Sequence, residues 1–129
     1  MVKTVGIYDH DKQWEVFQSL AYQNIKYAVL YRMAIETGLR ISDLLALKQP
    51  EYGRKFEIRE SKTGKIKEFE ISQDMELMLY AYRHVMPPKS DDAPLFPVSR
   101  SSFWRAMKKA EVECGLSGVG VHGLRKTYG

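Results

Sequence analysis

One segment, from Ile25 to Thr37, leaves few options for how this chain folds. Ile25, Ala28, Val29, Leu30, Met33, Ala34 and Ile35 place apolar side chains on most sides of a helix rather than along one stripe. Such a helix has to be surrounded, so it is expected at the centre of the molecule with other helices packed around it. Asn24 is suited to cap its start. Gly38 is suited to stop it, because glycine enters the left-handed region with no Cβ penalty. A new helix is expected near Arg40 or Ile41, running to about Leu47, with Pro50 just beyond.

The rest of the pattern reads as helix, hairpin, helices. Residues 9–21 carry Trp14, Phe17, Leu20 and Ala21 at near-helical spacing, with Asp9 and Asp11 near the start. Residues 54–60 alternate, with Lys55, Glu57 and Arg59 on one side and Phe56 and Ile58 on the other, which is strand periodicity. A second strand follows with Ile66, Phe69 and Ile71. Its alternation slips between Ile66 and Phe69 and predicts a bulge or an irregular start. Ser61-Lys62-Thr63-Gly64 reads as the loop between them.

Ser72 suits an N-cap. Asp74 and Glu76 fall in the first turn of the helix after it, Arg83 and His84 in the last, and Pro87-Pro88 stop it. Met75, Met78, Leu79, Tyr82 and Met86 form its apolar stripe. In the loop from Pro87 to Ser99, Leu95 and Phe96 are expected to dock on the core. Ser101 or Ser102 is expected to cap a helix through Cys114, ended by Gly115, and a last helix begins near His122. The expectation is one domain over residues 1–129, α+β and mainly helical, around a small antiparallel hairpin.

Composition narrows the setting. Hydrophobic residues make up 44% and charged residues 28%, as in ordinary folded proteins. No apolar run is long enough to cross a bilayer. The segment Met1 to Gly6 is too short and too polar in continuation for a secretory signal. Cys114 is the only cysteine, which excludes an internal disulfide and fits a reducing cytoplasm. The formal charge of +4 permits a polyanionic partner without requiring one. The placement of the charge says more. Arg40, Lys62, Lys65, Arg100, Arg105, Lys108, Lys109, Arg125 and Lys126 gather around three short motifs and the helix before the last, a pattern expected of phosphate contacts.

Those motifs are Thr37-Gly38-Leu39-Arg40-Ile41-Ser42-Asp43-Leu44, Ser61-Lys62-Thr63-Gly64-Lys65 and His122-Gly123-Leu124-Arg125-Lys126-Thr127. Taken alone, Arg40 reads as a surface arginine pairing with Asp43, Lys62 as a solvated loop lysine, and His122 and Arg125 as a cap and an exposed side chain. Taken together they suit a phosphodiester. Two guanidiniums match the non-bridging oxygens of a pentacoordinate transition state. A lysine on a hairpin leaning into a cleft can protonate a leaving oxygen. His122 and Arg125, three apart, share one face of a helix start. No His, Cys or Asp spacing suggests a metal site, and no cofactor is expected.

The three motifs, in this order and setting, resemble the catalytic domain of the tyrosine recombinases, the phage integrase family, from about residue 10 onward. The resemblance implies site-specific DNA cleavage and rejoining through a 3′-phosphotyrosine link, which stores the phosphodiester energy. It implies that Arg40 and Arg125 clamp the scissile phosphate, that Lys62 is the general acid, and that His122 assists proton transfer with the nucleophile. Asp43 matches the acidic residue that supports the site from behind. The family's further histidine or tryptophan and its tyrosine nucleophile stand on helices after the His-x-x-Arg box, and this sequence has neither. The chain is therefore expected to be a C-terminally truncated catalytic domain, inactive as it stands and monomeric, with a tetramer on DNA for the full-length enzyme. Tyr128 is not expected to serve as nucleophile. It lies three residues after Arg125 and cannot reach in line to a phosphate gripped by that neighbour. Duplex DNA is the expected partner, with Lys65, Arg100, Ser101, Arg105 and Lys108 as backbone contacts. The alternatives are a DNA-binding regulator that reuses the fold without cutting, a type IB topoisomerase relative, and a helical interaction module.

Overall fold

The computed structural model describes residues 10–48, 54–59, 62–90 and 93–116. In chain order they form α1 (His10–Gln23), α2 (Ile25–Thr37), α3 (Ile41–Leu45), β1 (Lys55–Arg59), β2 (Ile66–Glu70), α4 (Gln73–Val85) and α5 (Arg100–Glu113). These elements make the mainly helical α+β arrangement expected, with helices around a two-stranded antiparallel sheet. The helix expected near His122 lies outside the described residues.

α2 is buried as its composition requires, with Ala28, Leu30, Met33 and Ala34 fully excluded from solvent. Its start is capped by Asn24, whose side-chain oxygen accepts from the Lys26 N–H at 3.1 Å. Its end is Gly38 at φ 68°, whose N–H donates to the Ala34 carbonyl at 2.9 Å. α1, α4 and the short α3 pack on α2, and α5 closes the far side against α1 and α3. Burial of each large side chain here contributes roughly 1.5–3 kcal/mol.

The seam of α1 is Val16 and Leu20, one turn apart and fully buried. Trp14, expected in that stripe, is instead 58% exposed and stacks on Phe17 with ring centroids 5.4 Å apart. The seam residues turn it away from α2, and its indole covers Phe17. Polar bonds fasten α1 to the end of α5. Lys12 Nζ donates to the Cys114 carbonyl at 3.0 Å, Ser19 Oγ donates to the Glu113 carboxylate, and Gln23 Nε2 donates to the Ala106 carbonyl at 3.1 Å.

The hairpin pairs in a continuous register, from Lys55 opposite Glu70 to Arg59 opposite Ile66. The bulge expected between Ile66 and Phe69 is absent. Ile66 lies instead on the polar face, with Lys55, Glu57 and Arg59, and is 57% exposed. Phe69 lies opposite Phe56 on the inner face, where their rings stack at 5.3 Å. Ile71 continues that face past the end of β2, and its N–H donates to the Arg54 carbonyl at 2.8 Å.

Ser72 caps α4 by accepting from the Met75 N–H at 3.1 Å. Met75, Leu79 and Tyr82 are buried in its stripe, and Met78 and Met86 pack at the edge. The following loop docks through Leu95 and Phe96, each 1% exposed. Two bonds hold it there: Tyr82 Oη donates to the Leu95 carbonyl at 3.1 Å, and the Leu95 N–H donates to the Leu47 carbonyl at 2.9 Å. α5 is capped by Ser99, not by Ser101 or Ser102. Ser99 Oγ accepts from the Ser102 N–H at 3.1 Å, and both later serines lie inside the helix. Of three nearby serines, the one in extended conformation does the capping.

Removal of the cap in Ser99→Ala is expected to destabilise the fold by about 1 kcal/mol. Ser101→Ala, on an exposed helical position, is expected to change stability by less than about 0.5 kcal/mol. Urea denaturation of the two variants beside the parent checks the difference.

Candidate nucleic-acid site

The turn that presents Arg40 is fixed on both sides. Thr37 Oγ1 donates to the Met33 carbonyl at 2.8 Å and accepts from the Leu39 N–H at 3.3 Å. Leu39 and Ile41, flanking Arg40, are 4% and 5% exposed and hold the backbone to the core. Arg40 is the N-cap residue of α3 in extended conformation, at φ −66° and ψ 145°. Its carbonyl accepts from the Asp43 and Leu44 N–H groups, both at 3.0 Å. Its side chain makes no capping bond, so the half-buried guanidinium is not used up in holding the turn. Asp43, one turn on, is buried at 4% exposure. A carboxylate in such a place is retained only with partners for its charge.

Lys62 stands on the hairpin tip and is exposed, with Lys65 exposed beside it. The tip is shaped locally. Thr63 Oγ1 accepts from the Lys65 N–H at 3.2 Å, and Arg59 Nη1 donates to the Gly64 carbonyl at 2.9 Å. Gly64 adopts φ 70°. Lys62-Thr63-Gly64 thus fold as a turn because threonine bonds to it and glycine accepts its handedness.

Arg40 and Lys62 occupy separate elements, the α2–α3 turn and the hairpin tip. His122 and Arg125, together with Lys126 and Tyr128, lie outside the described residues. The meeting of all four groups on one phosphate therefore belongs to the proposal below. The groove of about 330 Å³ between the hairpin and α4, lined by Phe56, Ile71, Leu77, Leu79, Tyr80, Glu76 and Arg83, contains neither Arg40 nor Lys62.

α5 carries the remaining candidates. Arg100, Ser101, Arg105 and Lys108 are all exposed, within a sector of the helix that also holds Trp104. Lys108 is already engaged: its ammonium lies 5.4 Å from the Trp104 ring centroid and 3.9 Å from the Glu111 carboxylate. Cys114 is buried and burial pushes its thiol pKa up, which keeps it protonated and a poor nucleophile.

One pair at this site escapes sequence reasoning. Glu36, directly before Thr37, accepts from both the Ser72 hydroxyl at 2.6 Å and the Ser72 N–H at 3.1 Å. Ser72 announces itself as a cap, but nothing in a linear sequence pairs it with a glutamate 36 residues earlier. The Trp104–Lys108 contact, by contrast, has a legible signal in its spacing of four.

The sequence matches the phage integrase family over residues 7–129. It is 33% identical to the probable integrase/recombinase YoeC of Bacillus subtilis (strain 168), covering 92% of this chain and 69% of that one. Among solved structures, a lambda integrase fragment, seen as a dimer bound to a COC′ core site, superposes with a TM-score of 0.78 at 20% identity. That match takes in 99% of this chain and 52% of the other, so the chain spans about half the length of that integrase fragment. The catalytic domain of bacteriophage HP1 integrase gives 0.71 at 25% identity, covering 98% of this chain and 70% of that one. XerA recombinase gives 0.76 at 18% identity, covering 98% and 48%. The arginine turn and the lysine hairpin are thus set in a recombinase-type catalytic fold. The chain belongs to the phage integrase family.

Gly64→Ala is expected to destabilise the hairpin by about 1–2 kcal/mol, the cost of left-handed backbone for a residue with a Cβ. A Cβ at this position meets nothing within 4 Å, so the cost is conformational alone. Gly64→Asn, which tolerates that conformation better, is expected to recover part of it. Thermal melts of the three proteins check the order Gly, Asn, Ala.

Proposed function

We propose that this chain is catalytic-domain sequence of a site-specific DNA recombinase that cuts and rejoins duplex DNA through a 3′-phosphotyrosine intermediate, working in the cytoplasm. The observation that carries this reading is the Arg40 turn: a half-buried guanidinium spared from capping, its backbone pinned between Leu39 and Ile41, in a chain of the integrase family. A mere DNA binder needs positive charge, but not an arginine fixed in this way.

In this mechanism Arg40 and Arg125 bind the two non-bridging oxygens of the scissile phosphate. They stabilise the charge that builds as the nucleophile attacks. Lys62 gives a proton to the departing 5′ oxygen, and His122 assists proton transfer with the nucleophile. Buried Asp43 steadies the Arg40 turn from behind. Tyr128 is not the nucleophile, since its place three residues past Arg125 denies it an in-line approach. Lys65, Arg100, Ser101, Arg105 and Lys108 contact the DNA backbone and set position rather than sequence preference. Relatives supply a model for the assembly: lambda integrase has been seen as a tetramer on a Holliday junction, and a tetramer on DNA is proposed here too.

The direct test is covalent trapping. The full-length protein is given a nicked duplex bearing the site it selects from a pool of random-sequence duplexes. A covalent protein–DNA adduct is expected, lost by at least about 100-fold in Arg40→Ala and Arg125→Ala and retained in Tyr128→Phe. An adduct that disappears in Tyr128→Phe overturns the exclusion of that residue. Tight DNA binding with no adduct under any condition favours the non-cutting regulator.

Binding gives a second test. Each phosphate contact removed is expected to lower the salt dependence of duplex affinity by about one unit of slope. Arg105→Ala is expected to show that full change. Lys108→Ala is expected to show less, because Lys108 already shares its charge with Glu111 and Trp104. Fluorescence anisotropy over a salt series reads both.

A further inference from the structure

A polar link joins the two motif elements. Glu36 lies in the last turn of α2, four residues before Arg40. Ser72 lies at the base of the hairpin, just past β2 and directly before α4. The Glu36 carboxylate takes the Ser72 hydroxyl proton at 2.6 Å on one oxygen and the Ser72 N–H at 3.1 Å on the other. The first distance is that of a charge-assisted bond. The same hydroxyl accepts from the Met75 N–H at 3.1 Å, so the link runs on into the first turn of α4.

The hairpin's other attachment is apolar. Phe56, Ile58 and Ile71 are buried on its inner face. Apolar contacts resist separation but set angle weakly, because they have no direction. Two hydrogen bonds to one carboxylate do set angle. The leverage is large: from Ile71 to the turn is about five residues of strand, or about 17 Å. A tilt of about 4° at the base moves the tip by about 1 Å over that length. A displacement of that size at a reacting group can cost about 100-fold in rate.

We propose that Glu36 is a positioning residue: by holding Ser72, its carboxylate sets the angle of the hairpin and so places the Lys62 ammonium against the phosphate bound at Arg40. This rests on the reading of Lys62 as general acid. In this role Glu36 acts through Ser72 rather than on the DNA or the reacting atoms.

The test separates proton delivery from everything else. The full-length protein is assayed in single-turnover cleavage on the selected nicked duplex. One version carries the ordinary bridging 5′ oxygen and the other a 5′ sulfur at the scissile bond. A thiol of pKa about 8.5 departs as the thiolate and needs no proton from the protein. Glu36→Ala is expected to slow the oxygen substrate about 30-fold and the sulfur substrate less than about 3-fold. Glu36→Gln keeps a carbonyl acceptor for Ser72 and is expected to stay within about 3-fold on both. Should Glu36→Ala fail to fold, Ser72→Ala, which keeps the backbone N–H contact, is expected to give the same split at reduced size.

Equal slowing of both substrates, or no slowing of either, overturns the proposal. Lys62→Ala, run alongside, distinguishes the two levels of the argument. Its rescue by sulfur, with no rescue of Glu36→Ala, overturns the positioning role and leaves the function standing. If sulfur fails to rescue Lys62→Ala itself, the general-acid assignment and the positioning role fall together.

Discussion

α2 is buried over most of its surface, so its last carbonyls depend on the chain itself for partners. The chain supplies them within a few residues. Gly38 turns left-handed and returns its N–H to Ala34, while the Thr37 hydroxyl ties the Met33 carbonyl to the Leu39 N–H. The chain cannot drift after this stop, because Leu39 and Ile41 re-enter the core at once. Arg40 is caught between them. Its position is therefore inherited from the buried helix, which is what the proposed phosphate clamp needs. A guanidinium stabilises developing charge only if it need not reorganise when the charge appears.

How much of this can be read from the linear sequence depends on how local each cause is. The Asn24 and Ser72 caps, the Gly38 stop and the β1 alternation involve residues within a turn of one another, and all are legible. Three readings required tertiary information. Ser99, Ser101 and Ser102 are equivalent as cap residues, and only the docking of Leu95 and Phe96 decides where α5 begins. Ile66 looks like a core strand residue, but the register opposite Arg59 puts it on the polar face. Trp14 looks like an anchor, yet Val16 and Leu20 fill the seam first. In each case an apolar or capping side chain had several local solutions, and long-range packing chose among them.

The candidate site divides in the same way. The Arg40 turn and the Lys62 loop are visible as motifs because their shapes are locally determined by Thr37, Gly38, Thr63 and Gly64. Their relation to each other is not, because it passes through Glu36 and Ser72. Neither residue belongs to the catalytic chemistry. A glutamate before a Thr-Gly stop and a serine before a helix have ordinary local explanations, and those explanations conceal the contact.

The contrast in rigidity between the two elements has a chemical sense. A two-stranded sheet is marginally stable by itself, and β2 is exposed along nearly its whole length. An apolar face and the Glu36 carboxylate at its base tie the hairpin to the helices. The angle of the hairpin therefore depends on fewer supports than the position of α2 does. In the mechanism proposed above, phosphate binding calls for a fixed charge, and Arg40 on the turn closing α2 supplies it. In the same proposal, proton delivery calls for a placed ammonium, and Lys62 on the hairpin owes its placement to the Glu36–Ser72 link. An interchange of the two would put the phosphate clamp on the less supported element, and its preorganisation would be lost.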